Sequence, residues 1–186
     1  RNTLSLNTTG SNNTALGDGV LQRNTTGVYN TAIGLNSMNM NTTGAFNLAM
    51  GIYSLFDNVA GSSNIAIGDQ ALTNSLTSNN TAAGYYALRM NTTGANNTAF
   101  GKSAAATNTT GASITAVGHN ALQYSTTGNS NTAIGWHAGN ANTTGAQNTY
   151  LGHTAGYLVT TGSNNTVLGR YSGNQGGLDI RTTSNN

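Results

Sequence analysis

The chain has 186 residues, of which only 5% are charged, a net charge of +2, and no proline, cysteine or glutamate. That composition is not an ordinary globular surface, and it lacks the Pro, Glu and Lys bias of disordered chains. The six basic residues are spread along the sequence, so no stripe of the kind nucleic acids require is formed, and no apolar run approaches the ~18 residues of a membrane helix.

In chain order, Arg1 to Leu6 fit the second half of a repeat, with Leu4 in the column that Leu21 occupies one period later, so the chain is read as beginning in mid-repeat. From there one glycine recurs as Gly17, Gly34, Gly51, Gly68, Gly84, Gly101, Gly118, Gly135, Gly152 and Gly169, at intervals of 17 except for the 16 between Gly68 and Gly84. A second glycine sits seven residues before each, from Gly10 to Gly162, and Thr77 takes its place in the shortened copy. Each unit reads N-T-T-G-x-x-N-T-A-I-G-x-x-A-L-x-x. A fixed period of this length signals a solenoid, in which each repeat buries its apolar face only against its neighbours. Glycine at two fixed places predicts two corners that need positive φ.

Two corners imply two short strands. The first is predicted at the N-T-A-I run, where alternation sends the Ile-type residues to one face and the Ala-type residues to the other. The Ile-type column (Leu16, Ile33, Met50, Ile67, Ala83, Phe100, Val117, Ile134, Leu151, Leu168) is nearly unbroken and is expected to be the core. The Ala-type column (Ala15, Ala32, Ala49, Ala66, Ala82, Ala99, Ala116, Ala133, Tyr150, Val167) then faces away and suits close packing against another chain. The second strand is predicted at the A-L pair, whose Leu column runs from Leu21 to Leu122 and turns to glycine at Gly139, Gly156 and Gly173, where the cross-section should change.

Asparagine recurs four places before the main glycine, as in Asn30 and Asn131, with Ile114 the one exception. Stacked coils align such amides into a hydrogen-bonded ladder. At ~4.7–4.9 Å per coil, about ten coils give a rod on the order of 50 Å long. Residues 1–173 are read as the repeat domain and 174–186 as a non-repeat tail or connector.

Asn30-Thr31-Ala32-Ile33-Gly34 and Asn131-Thr132-Ala133-Ile134-Gly135 resemble the head repeat of the YadA-like trimeric autotransporter adhesins. The fuller N-T-T-G-x-x-N-T-A-I-G unit resembles repeats of phage tail-fibre proteins, over about residues 1–173. The resemblance implies an all-β, left-handed parallel β-roll assembled as a homotrimer. A physical argument agrees, since one coil buries two or three medium apolar side chains at ~1.5–3 kcal/mol each against ~1 kcal/mol or more of backbone entropy per residue. A lone roll is marginal.

Catalytic chemistry is poorly supplied. Asp18 and Asp69 share a corner position three coils apart, roughly 14 Å, beyond the ~5–9.5 Å of glycosidase carboxylate pairs. Gly101-Lys102-Ser103 lacks the first glycine of a phosphate loop. His119 and His153 fall about 10 Å apart in one column, too far to share a metal ion. No catalytic residue, metal or cofactor is assigned. The two variable positions after the main glycine hold Tyr53, Tyr85, Tyr86, His119, Trp136, His137, His153 and Tyr171, candidate contacts for a surface glycan or protein receptor. The plainer reading is packing over neighbouring corners. N-x-T triplets at Asn7, Asn12, Asn24, Asn41, Asn79, Asn91, Asn96, Asn108, Asn142 and Asn164 fit either turn chemistry or glycosylation.

The function expected is a non-catalytic, extracellular fibre segment for host or surface attachment, in a virion tail fibre or on a cell surface. Its partners would be its own copies and a receptor, with no nucleic acid and no membrane insertion. A self-assembling filament and an ice-binding array of stacked Thr pairs are the alternatives.

Overall fold

The computed structural model describes residues 2–170, 173–175, 178–179 and 182–184. Ten three-residue strands, β1 (Thr14–Leu16), β2 (Thr31–Ile33), β3 (Leu48–Met50), β4 (Ile65–Ile67), β5 (Thr81–Ala83), β6 (Thr98–Phe100), β7 (Thr115–Val117), β8 (Thr132–Ile134), β9 (Thr149–Leu151) and β10 (Thr166–Leu168), form one parallel sheet in sequence order. The register aligns Ala15 with Ala32 and Ala32 with Ala49, and it survives the 16-residue interval, where Ala66 meets Ala82. In the short coil Thr77 replaces the missing glycine, and its carbonyl accepts from Asn64 Nδ2 at 2.7 Å. The protein is therefore an all-β parallel β-solenoid of about nine turns with coils of about 17 residues, and the described residues contain no helix.

Backbone polar groups are satisfied along the axis. The Thr14 N–H donates to the Asn30 carbonyl at 2.8 Å, and the Gly34 N–H donates back to the Leu16 carbonyl at 2.9 Å. This pattern repeats coil after coil and leaves the side chains to decide what fills the interior.

The inside and outside of the first strand are the reverse of the sequence expectation. The Ala-type column from Ala32 to Ala133, with Tyr150, is fully buried. Ile67 and Ile134 are each 40% exposed, Leu16 and Leu168 are exposed further, and Ile33 is half-buried. The interior is too narrow for the Ile-type residues, because the Asn columns already occupy it and large apolar volume enters from the other wall. That wall carries Leu21, Met38, Leu55, Leu72, Leu88 and Leu122, all fully buried.

The second predicted strand is absent. After each main glycine the backbone alternates into the left-handed region, at Asn36 (φ 53°) and Met38 (φ 49°), and again at Tyr86 (φ 62°) and Leu88 (φ 49°). A strand would send the two residues of the A-L pair to opposite faces. The left-handed turn instead buries both, as with Ala71 and Leu72. Each such residue costs ~1–3 kcal/mol, and full burial of a leucine returns ~1.5–3 kcal/mol.

The two glycine columns have different causes. Gly51 and Gly135 adopt φ of 140° and 137°, as expected. Gly10 and Gly27 do not lie in the positive-φ region; a Cβ there would come within 2.5 Å of the next coil's glycine carbonyl. Close approach, not chain reversal, requires glycine there.

Two asparagine columns line the interior. In the predicted one, Asn13 Oδ1 accepts from the Asn30 backbone N–H at 2.9 Å, and Asn30 Nδ2 donates to the Gly44 carbonyl at 2.8 Å. These amides mainly knit backbone, although Asn47 Nδ2 also reaches Asn30 Oδ1 at 3.1 Å. The amide-to-amide ladder runs instead through the Asn of N-T-T-G. Asn24 donates to Asn7 at 2.8 Å, Asn41 to Asn24 at 2.8 Å, Asn58 to Asn41 at 3.0 Å and Asn108 to Asn91 at 2.8 Å. It breaks where the next residue of the column is Ser75, Ser125 or Val159. The buried oxygens left without a hydrogen bond include Asn58 Oδ1, Asn108 Oδ1 and Asn142 Oδ1, the last rung before each break.

The glycines of the last coils are compensated from across the core. A Cβ on Gly139 would come within 2.5 Å of Tyr150 Cδ2, and Gly156 is equally closed by the same ring. Tyr150 has taken an Ala position and fills the volume the Leu column gave up. Its phenol accepts from Asn142 Nδ2 at 3.3 Å, and burial pushes its ionisation well above the ordinary range.

Beyond the coils, β11 (Asn174–Gln175) and β12 (Leu178–Asp179) pair antiparallel. Ser184 Oγ then accepts from the Ser163 N–H at 3.1 Å, and the Thr183 carbonyl accepts from Asn165 Nδ2 at 3.0 Å. These bonds reproduce the ones Ser163 and Gly162 make to the coil before them.

Two stability changes are expected, readable from denaturant melts. Tyr150→Ala should cost about 3–5 kcal/mol, because the facing glycines cannot refill the space. Ser75→Asn should raise stability by ~1 kcal/mol by restoring the amide rung over Asn58.

Candidate functional site

The coil corner after the main glycine displays the large residues singled out from sequence, and stacking at the coil spacing sorts them into groups. Tyr53 stands with Phe56, ring centroids 5.3 Å apart and edge-on. Tyr85 and Tyr86 stack at 3.8 Å, with Arg89 over Tyr86 at 4.7 Å and Lys102 over Tyr85 at 5.8 Å. A hydrogen bond with Tyr86, followed by burial, pushes the Tyr85 phenol up. Tyr171 lies outside the described residues.

The third group brings His119, Trp136, His137 and His153 together. Trp136 stacks on His153 at 4.7 Å and 15°, faces His119 from the coil before at 6.5 Å and 15°, and touches His137 at 3.8 Å. Tyr157 closes the cluster 5.8 Å from His137. The indole is 47% exposed, but rings lie on both its faces, so it offers solvent its edge. That arrangement is packing over neighbouring corners and is ill suited to stacking a sugar on the indole.

Asn120 Nδ2 lies 3.2 Å from His137 Nε2. The pair couples the His137 ring to the Asn120 amide one coil before it. Nδ1 of His137 and Nδ1 of His119 are both buried without a hydrogen-bond partner. Burial first, then the neighbouring His119 and His153, hold the His137 pKa below the usual histidine value. Among the described residues no group of three or more His, Asp or Glu converges as a metal site demands, and no helix is long and apolar enough to cross a membrane.

Sequence reasoning missed Tyr157, Asn120 and Arg89, which sit in columns of changing residue type and so stand out only once their neighbours are known. It named the apolar ladder of the sheet but placed it inside; on the outer face that ladder is continued by Tyr29 and Phe46, stacked at 5.2 Å and 8°. The N-x-T sites divide as well. Asn24, Asn41, Asn91, Asn108 and Asn142 are buried in the amide ladder, whereas Asn12, Asn79, Asn96 and Asn164 are exposed in left-handed turns. Comparison with protein-family models, curated proteins and solved structures returned no match.

The sign of the His137 shift fixes a pH dependence. A histidine with a lowered folded pKa leaves stability intact above the unfolded value near 6.5 and costs stability as pH falls below it, because the unfolded chain then binds more protons. The melting temperature should therefore fall between pH 7.5 and 5.5, and His137→Gln should flatten that slope. Trp136→Ala should lower stability by ~0.5–1.5 kcal/mol for each ring pair lost.

Proposed function

We propose that the chain is a non-catalytic fibre segment, working outside the cell as a rigid spacer in a host- or surface-attachment structure and assembling as a homotrimer. The observation that carries this reading is the outward Ile-type ladder. It sets Leu16, Met50, Ile67, Phe100, Ile134, Leu151 and Leu168 in register along one face of the sheet, each 39–66% exposed. Covering these seven apolar side chains releases roughly 1 kcal/mol each, about 7 kcal/mol per chain, within the range of association costs of ~4–15 kcal/mol. An in-register ladder on a parallel sheet suits a second and third copy laid alongside. The interface thus moves from the Ala column, which the core consumes, to its outward neighbour.

The resemblance of the N-T-A-I-G and N-T-T-G units to adhesin heads and tail-fibre repeats supports the attachment role and the left-handed winding. A surface glycan or protein receptor is the partner proposed, with neither nucleic acid nor membrane insertion. An endless filament has less support, since Thr183 and Ser184 occupy bonding positions on the last coil that a further coil would use. An ice-binding face has less support too, because the first hydroxyl of each Thr pair already donates to the next coil, as Thr25 Oγ1 does to the Thr42 carbonyl at 3.1 Å.

Sedimentation equilibrium tests the assembly. Three chains of 18.9 kDa should sediment together, and Ile67→Lys with Ile134→Lys should release monomers with an unchanged far-ultraviolet spectrum. A monomeric mass for the unaltered chain at high concentration would remove the reading.

A further inference from the structure

We propose that the corner edge running from Lys102 to Arg170 is an acid-activated binding site for a linear anionic polysaccharide. The position after the main glycine carries Lys102, His119, Trp136, His153 and Arg170 in five successive coils, and His137 sits beside Trp136. Lys102, Trp136, His153 and Arg170 are exposed, and His119 and His137 are half-buried. At ~4.7–4.9 Å per coil the edge spans about 19 Å along the axis.

Lys102 and Arg170 carry fixed charge at its ends. Between them stand three imidazoles, a side-chain type that takes up a proton on acidification, and no Asp or Glu lies on the coils from Lys102 to Arg170. No Asp or Glu occurs between Asp69 and Asp179. Asp69 belongs to the same column but lies two coils before Lys102, about 10 Å along the axis, with Tyr85 between them. Asp179 belongs to β12, beyond the last coil. The other titratable groups at the cluster are Tyr157, against His137, and Tyr86 with Arg89 one coil before Lys102.

A row of five like charges is neutralised best by an external anion of matching shape. One charge per coil along an extended edge fits a polymer carrying a carboxylate on each sugar. A single-stranded nucleic acid fits less well, because base stacking needs open ring faces and those of Trp136 look toward His119 and His153. Imidazole chemistry sets the direction of the gate, weak near neutrality and stronger on acidification; burial and its neighbours move the His137 contribution further to the acid side, and a bound polyanion favours the protonated ring in return.

The attachment reading supplies only the biological setting, and the two fail separately. Loss of binding leaves the solution mass untouched, and a monomeric mass leaves the binding measurable.

The test uses the full chain with polygalacturonate, with neutral dextran and a single-stranded oligonucleotide as comparisons, at pH 5.5 and 7.5 in low salt. Three partly exposed charge pairs of modest worth should together tighten polygalacturonate binding by roughly tenfold at pH 5.5, and added salt should reverse the gain. The polymer should also raise the melting temperature at pH 5.5 and not at 7.5. His119→Gln with His137→Gln and His153→Gln should abolish the pH gain. The exposed His153→Gln alone should reduce it if the triple variant does not fold. Lys102→Ala should weaken binding at both pH values. Equal affinity at the two pH values, a pH gain that persists in the histidine variants, or equal binding of the oligonucleotide would overturn the proposal.

Discussion

A backbone wound flat into coils points its N–H and C=O groups along the axis, so each coil is the hydrogen-bonding partner of the next. With the backbone committed in this way, like residues must lie over like residues. The register Ala15 to Ala32 to Ala49 and the amide contacts Asn7 to Asn24 to Asn41 are two consequences of that one constraint. A buried amide needs partners, and a column of amides one coil apart provides them without any other element. The interior is consequently narrow and partly polar. It is built from Asn, Gly and Ala on one side and from leucines turned inward by left-handed backbone on the other.

The same constraint explains where the fold departs from its own pattern. Tyr150 in the Ala column is tolerated because Gly139 and Gly156 stand opposite, a trade of volume across the core. Ser75 and Ser125 shorten the amide rung and leave Asn58 and Asn108 with unanswered oxygens, the cost of each broken step in the ladder. On the outside, stacking turns single exposed residues into rows. The apolar row on the sheet and the cationic and aromatic row at the corner are what the rod offers to other molecules.

Much of this was legible in the repeat. The 17-residue period, the T-A-I strand, the positive φ of Gly51 and Gly135 and the grouping of His119, Trp136 and His153 follow from sequence spacing. The direction of the strand did not, because alternation defines two faces without saying which is inside. The chain did hold a signal. The Ala-type position accepts alanine from Ala15 through Ala133, whereas its neighbour accepts Phe100 and Ala83 alike, a spread of volume that a close-packed interior does not tolerate. The inward turn at Met38 and Leu88 was illegible, since left-handed leucine and methionine run against local preference and are held there by burial. At the corner, composition named the residues but not the covered faces of Trp136, which depend on which way neighbouring rings lean.

Side-chain amide hydrogen exchange followed by nuclear magnetic resonance tests the stacked, amide-lined interior most directly, and it does so whatever the oligomeric state. The Nδ2 protons of Asn24, Asn41 and Asn108 should exchange only as slowly as the core opens, while those of Asn12, Asn96 and Asn164 exchange at the rate of free amides. Equal, fast exchange in both sets would contradict the account.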